Sequence, residues 1–123
     1  MEDLINGTHG LVYMDTDPCI CIRGSENFDS PTLGYFAYED HEIFSFYELR
    51  SAAWVARGSD DERQRPEAAR RIRAQFETLV AESKRVLVLS AFGCGAFGND
   101  ATIVAEEYAK AILEYKDLSL IHI

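Results

Sequence analysis

One stretch dictates the layout of the second half of the chain. Arg85-Val86-Leu87-Val88-Leu89-Ser90-Ala91-Phe92 is an almost unbroken apolar run. It stops at Gly93-Cys94-Gly95-Ala96-Phe97-Gly98, and an amphipathic segment follows in which Val104, Tyr108, Ala111, Ile112 and Tyr115 recur at helical spacing. An apolar run of this length is the pattern of a central strand buried on both faces. Asn99 is suited to cap the following helix, with Asp100 in its first turn. Ahead of the run, Ala68, Ala69, Ile72, Phe76, Leu79 and Val80 form one stripe of another helix, for which Pro66 fits as the first residue. Ser59 to Glu62 also matches a capping box and would start that helix near residue 60. Leu118 to Ile123 reads as a closing strand. Helix, strand, glycine loop, helix and strand make an α/β unit with a right-handed crossover onto a parallel neighbour.

The first 62 residues carry weaker signals. Leu11–Met14, Cys19–Arg23 and Ile43–Leu49 have β-branched or aromatic residues bounded by turn formers, and read as strands; Ser25–Gly34 reads as a surface loop. Tyr35, Phe36, Tyr38, Phe44, Phe46, Tyr47 and Trp54 crowd together here. Core and strand faces account for them better than a stacking platform does. With 123 residues, 47% of them hydrophobic, the chain is expected to form a single domain, with residues 1–62 and 63–123 as its two parts, and to need no disulfide or metal staple.

Charge excludes further classes. The net charge is -9, with 13 acidic against 3 basic side chains over residues 1–62 and 3 against 7 over residues 63–85. Phosphate attraction therefore does not favour nucleic-acid binding, and Arg63, Arg65, Arg70, Arg71 and Arg73 read as the solvated face of a helix. No apolar run is long enough for a membrane span, and the acidic start Met-Glu-Asp is unlike a signal peptide, so a cytoplasmic protein is expected. Cys19, Cys21 and Cys94 are odd in number, and His9, His41 and His122 are scattered. Neither a disulfide framework nor a metal site is expected, and the cysteines read as small buried hydrophobes.

The chemistry concentrates in Gly93, Gly95 and Gly98, a GxGxxG pattern placed directly between a strand and a helix. Such a loop lets successive N–H groups converge on a phosphate, with the helix start adding positive potential. A dinucleotide fold would need an acidic residue about 20 residues further on, after a second strand, and a P-loop would need Gly-Lys-Ser/Thr. Neither is present. A tight turn that only packs strand against helix is the competing reading. Cys94, near a helix start, has no identifiable base beside it, so it too reads as a small residue that fits the turn.

Residues 85–116, and within them Ala91, Phe92, Gly93, Cys94, Gly95, Ala96, Phe97, Gly98, Asn99, Val104 and Ala105, resemble the C-terminal part of the microbial-type poly(ADP-ribose) glycohydrolases, a branch of the macrodomain-like fold. Ser90 stands where that family has its first glycine. Residues 13–23 and 43–53 resemble earlier strands of the family weakly. The resemblance implies a shortened macrodomain-like α/β fold with a mixed sheet flanked by helices. It also implies an ADP-ribose site in which residues 91–99 wrap the diphosphate and the adjoining ribose, with Phe97 lining the ribose pocket or packing beneath the loop. ADP-ribose or an ADP-ribosylated protein would be the partner, without a further cofactor. The family's Gly-Gly-Gly loop and Gln-Glu-Glu acid are absent, and Glu106-Glu107, the one glutamate pair, falls on the helix after the loop and reads as solvated surface. Binding without hydrolysis is therefore expected. The incomplete sheet is expected to pair with a second copy or another chain. The alternatives are an interaction or structural remnant, a hydrolase using another carboxylate, or an enzyme whose glutamate a partner chain supplies.

Overall fold

The computed structural model describes residues 12–30, 34–56 and 61–116. Along the chain lie β1 (Val12–Met14), β2 (Cys19–Cys21), β3 (Arg23–Asn27), β4 (Gly34–Ala37), a 3-10 turn (Asp40–Glu42), β5 (Phe44–Phe46), β6 (Leu49–Ser51), α1 (Asp61–Ala81) and α2 (Ala101–Tyr115). It is a small α/β protein whose described strands pair only antiparallel, as β1–β6, β2–β5 and β3–β4. The chain divides into two compact units, one made of residues 1–14 and 49–123, the other of residues 15–48.

The first unit holds the core. Ala68, Ile72, Phe76 and Leu79 of α1 face Ile103, Val104, Tyr108, Ala111 and Tyr115 of α2, and Met14, Trp54 and Ala56 join the same cluster. Phe76 is fully buried between two rings, 5.5 Å from Tyr115 and 6.5 Å from Tyr108. In β1 the alternation of a half-buried strand is explicit: Val12 and Met14 are buried, while Tyr13 lies opposite Arg50, whose guanidinium sits 5.8 Å above its ring.

The two helices run in the same direction. Arg65 reaches Glu106 at 2.8 Å, and Arg73 pairs with Glu114 about two turns further along both helices, with the same separation of 41 residues. Parallel neighbours require the intervening chain to return along their length, and residues 82–100 do so. The apolar run departs from expectation. Residues 85–92 form no strand among the described residues. Val86 and Val88 are 69% and 90% exposed, whereas Leu87, Leu89 and Phe92 pack against the core. The segment is buried on one side only, because alternate side chains of an extended chain point opposite ways. The closing strand at 118–123, and with it the parallel crossover, lies outside the described residues.

Helix α1 begins at Asp61, so Pro66 stands inside it rather than first. The earlier of the two readable starts is the one adopted. Residues 57–60, which would hold the cap, lie outside the described residues. Pro66 is the sixth residue, past the four N–H groups that have no helical partner, so its missing N–H costs α1 one hydrogen bond.

In the second unit, β2 and β5 place Cys19 opposite Phe46, Ile20 opposite Ser45 and Cys21 opposite Phe44. The Tyr38 N–H donates to the Ile22 carbonyl at 2.9 Å, and the antiparallel pairing continues through β3 and β4. β3 extends into the expected loop at 25–34 as far as Asn27 and β4 begins at Gly34, with a turn at 28–29 and a register irregularity between Arg23 and Glu26. No hydrophobic side chain described in this unit is buried. The aromatic residues here lie on strand faces as expected but are not core, and of the aromatic group only Trp54 is buried. All three cysteines are half-buried rather than buried.

Candidate functional site

The glycine loop is a sequence of tight turns. The Cys94 N–H donates to the Ala91 carbonyl at 3.1 Å, Gly98 N–H to Gly95 at 2.9 Å, and Asn99 N–H to Gly93 at 3.1 Å. Gly93 and Gly98 take positive φ, +73° and +70°, which is where glycine is required. A Cβ at Gly93 would also collide with the Asn99 amide and approach the Ala53 Cβ to 2.9 Å. Around Gly95 nothing lies within 4 Å of such a Cβ, so that position faces open space.

Asn99 does not cap α2. Its side chain is buried and donates from Nδ2 to the Trp54 carbonyl at 2.8 Å and to the Gly93 carbonyl at 2.9 Å, tying the loop to the segment after β6. The cap is Asp100, whose Oδ1 accepts from the N–H groups of Thr102 at 2.8 Å and Ile103 at 3.1 Å. Asn and Asp are about equally good caps, so two adjacent candidates cannot be ranked by propensity. The buried neighbours decide, since Asn99 alone can donate to two carbonyls. The cap also changes the electrostatics: the positive end of α2 already holds a carboxylate, so an anion there would meet a like charge.

The remaining loop residues fall into two groups. Phe92 packs edge-on against Trp54 with ring centres 6.1 Å apart, and Cys94 sits half-buried against the core with its thiol 3.7 Å from the Phe92 carbonyl. Ala91, Gly95, Ala96, Phe97 and Gly98 are exposed. The N–H groups of Gly95, Ala96 and Phe97 make no hydrogen bond among the described residues, while the Phe97 carbonyl accepts from Ala56 N–H at 3.0 Å. Of the N–H groups expected to face a phosphate, those of Cys94 and Gly98 are thus spent within the turns. Three consecutive ones at the tip are not. Two polar atoms beneath the loop, Trp54 Nε1 and Asn99 Oδ1, are buried without a partner.

The glutamate pair is also placed differently from expectation. Glu107 is buried, with Arg65 Nη1 at 3.1 Å and Lys110 Nζ at 2.8 Å, and Glu106 shares Arg65. Burial pushes the Glu107 carboxyl up, but the bonds from Lys110 and Arg65 outweigh it and leave the group below its ordinary value. A carboxyl held ionised in this way is fitted to bridge helices, not to donate a proton. The arginines correspondingly do not form a uniformly solvated face. Arg71 is half-buried, binding Glu67 at 2.6 Å and the Ala52 carbonyl at 2.8 Å. Burial raises Tyr108 to about 12, and its hydroxyl donates to Gln75 Oε1 at 2.7 Å.

One cluster has no counterpart in the sequence reading. Asp15, Cys19 and Glu48 each bring a ligand atom within 4.8 Å of the others. Their separation along the chain hides them; the Asp15 N–H donates to the Glu48 carbonyl at 3.4 Å, and Cys19 opens β2, which pairs with β5. Three such groups, partly exposed, fall short of the four-ligand set of a structural zinc.

Fold and loop define a small α/β protein with a braced glycine turn between two parallel helices. No family model, no curated protein and no solved structure matches the chain. No helix among the described residues is long and apolar enough to cross a membrane.

Proposed function

We propose that the loop from Ala91 to Asn99 binds ADP-ribose, free or on a modified protein, or a related nucleotide diphosphate, and that it does so without hydrolysing it. The observation that carries this reading is the tip of the loop. Gly95, Ala96 and Phe97 offer three consecutive N–H donors, uncommitted among the described residues, beside an exposed aromatic ring and between glycines of positive φ. Such donors suit a diphosphate, each charge-assisted bond contributing roughly 1.5 to 3 kcal/mol before desolvation. Phe97, 41% exposed, offers a face for the ribose or base. Because Asp100 occupies the end of α2, the anion is held by the loop rather than by the helix. The resemblance of residues 85–116 to the glycohydrolases supports the same ligand, and their missing acid motif supports binding alone.

Calorimetric titration with ADP-ribose, with ADP and NAD as controls, tests this. Gly95→Val leaves the fold intact, since a Cβ there meets nothing within 4 Å, yet it blocks approach to the donors. Binding lost in that variant supports the site, and no heat at roughly millimolar ligand, about 4 kcal/mol of binding free energy, refutes it. A second reading, a structural or interaction module, is favoured by one observation. Asn99 and Asp100 satisfy the loop and the helix end internally, as a turn that only supports packing would require.

A further inference from the structure

Residues 15–48 carry exposed aromatic side chains on a paired ribbon. The unit is a two-stranded antiparallel ribbon, β2 and β3 against β5 and β4, with no buried hydrophobic side chain among those described. An isolated two-stranded ribbon is at best marginally stable, and its outer edges offer unpaired backbone groups to another strand. One face carries an aromatic row. Tyr38 lies 6.3 Å from Phe44, and Phe44 lies 6.2 Å from Phe46, with Cys21 and Cys19 directly across. Phe44 and Phe46 are 51% and 43% exposed.

The same segment holds eight acidic side chains against one basic, Arg23, a net charge of -7 in a chain of -9. Glu39, Asp40 and Glu42 stand beside Phe44 in sequence around the 3-10 turn, and the carboxylates of Asp15 and Glu48 lie by Cys19, across from Phe46. Exposed rings bordered by carboxylates at both ends attract a cation through the ring face and the ion pair together. They disfavour a second copy, which would bring another -7 to the same place, and equally a phosphate backbone or an anionic leaflet.

We infer that residues 15–48 dock an extended, Lys/Arg-rich polypeptide segment of a partner protein, its apolar side chains on the Tyr38–Phe44–Phe46 row and its cations among the flanking carboxylates. Aromatic anchors would supply the contact and the carboxylates the selection of sign.

The test uses the full chain and two labelled peptides of equal length, one alternating Arg and Val, the other Glu and Val, followed by fluorescence anisotropy. The Arg-Val peptide binds, and its affinity drops by about tenfold when salt shrinks the Debye length from about 10 Å towards 3 Å. The Glu-Val peptide does not bind. Phe44→Ser with Phe46→Ser weakens the Arg-Val peptide by about tenfold at unchanged net charge. Asp40→Lys weakens it by about fivefold, while Glu82→Lys, the same charge change just past the end of α1, leaves it within about twofold. If the serine pair disturbs the ribbon by circular dichroism, the comparison of the two lysine variants still decides. Equal weakening by both lysine variants, or undiminished binding in a folded serine pair, would reduce the attraction to net charge and overturn the inference. So would Glu-Val binding as tightly as Arg-Val, or sedimentation showing a dimer that the serine pair dissolves, which would make a second copy the occupant.

Discussion

Removing the Asn99 side chain tests whether the glycine loop is held from beneath. Asn99→Ala deletes two hydrogen bonds, to Trp54 and Gly93 carbonyls, each contributing about 1 kcal/mol net. The Trp54 carbonyl also loses this buried donor, a further cost of about 1 to 3 kcal/mol, whereas the Gly93 carbonyl keeps the Asn99 N–H. Against this, the unpartnered Oδ1 disappears, which returns about 1 to 2 kcal/mol. The net expectation is a loss of about 2 kcal/mol, or about 6 to 10 °C in midpoint for a domain of this size. Asn99→Asp keeps the shape but aims an oxygen at two carbonyls, and is expected to be worse than alanine at neutral pH. Protonation lets that oxygen donate, so its folded-state pKa is raised and its deficit narrows as pH falls. Urea unfolding of the three proteins decides. An alanine variant within about 0.5 kcal/mol of the parent, the range of an unremarkable surface change, would refute the bracing role.

Phe76→Ala opens a cavity between Tyr108 and Tyr115 and should cost about 3 to 5 kcal/mol, a large part of a small domain's stability, measured by urea unfolding. Glu67, lowered by bonds from Arg70 and Arg71, and Glu107, lowered despite burial by Lys110 and Arg65, both sit below the ordinary 4.5. Their contribution is therefore complete above that value and is lost as pH falls through the lowered pKa values; Glu107→Gln should flatten the acid limb of a stability-against-pH curve. Pro66→Ala restores a helical N–H within α1 and should raise the melting midpoint, by about 1 kcal/mol or more of stability. Gly93→Ala should unfold the loop or the protein where Gly95→Val does not, a contrast visible in near-UV circular dichroism.

The apolar stripe of α2 was legible, because Val104, Tyr108, Ala111 and Tyr115 recur at helical spacing and are buried, but Glu107, read as solvated, is buried beside them. The start of α2 was not legible. Asn99 and Asp100 are both cap formers, and only the carbonyls of Trp54 and Gly93, distant in sequence or around the turn, assign Asn99 elsewhere. The run at 85–92 misled for a different reason: its outward positions, Val86 and Val88, are as apolar as its inward ones, so no alternation marks the exposed face. In residues 15–48 the pairing was partly readable from β-branched and aromatic residues. Their exposure was not, since burial depends on what packs against a ribbon rather than on the ribbon's own sequence.

The arginine cluster shows how a correct charge count can still assign the wrong role. Counted alone, the arginines of residues 63–85 read as the solvated face of a helix. In the fold, Arg65 is committed to Glu106 and Glu107, Arg70 and Arg71 to Glu67, and Arg73 to Glu114. Arg70 and Arg71 are thus paired within α1, while Arg65 and Arg73 bridge the two parallel helices at the same separation along the chain. Residues 15–48, by contrast, hold one arginine against eight acidic side chains. The electrostatic face of this protein is thus set less by its total of -9 than by which half of its charges the helices have already paired.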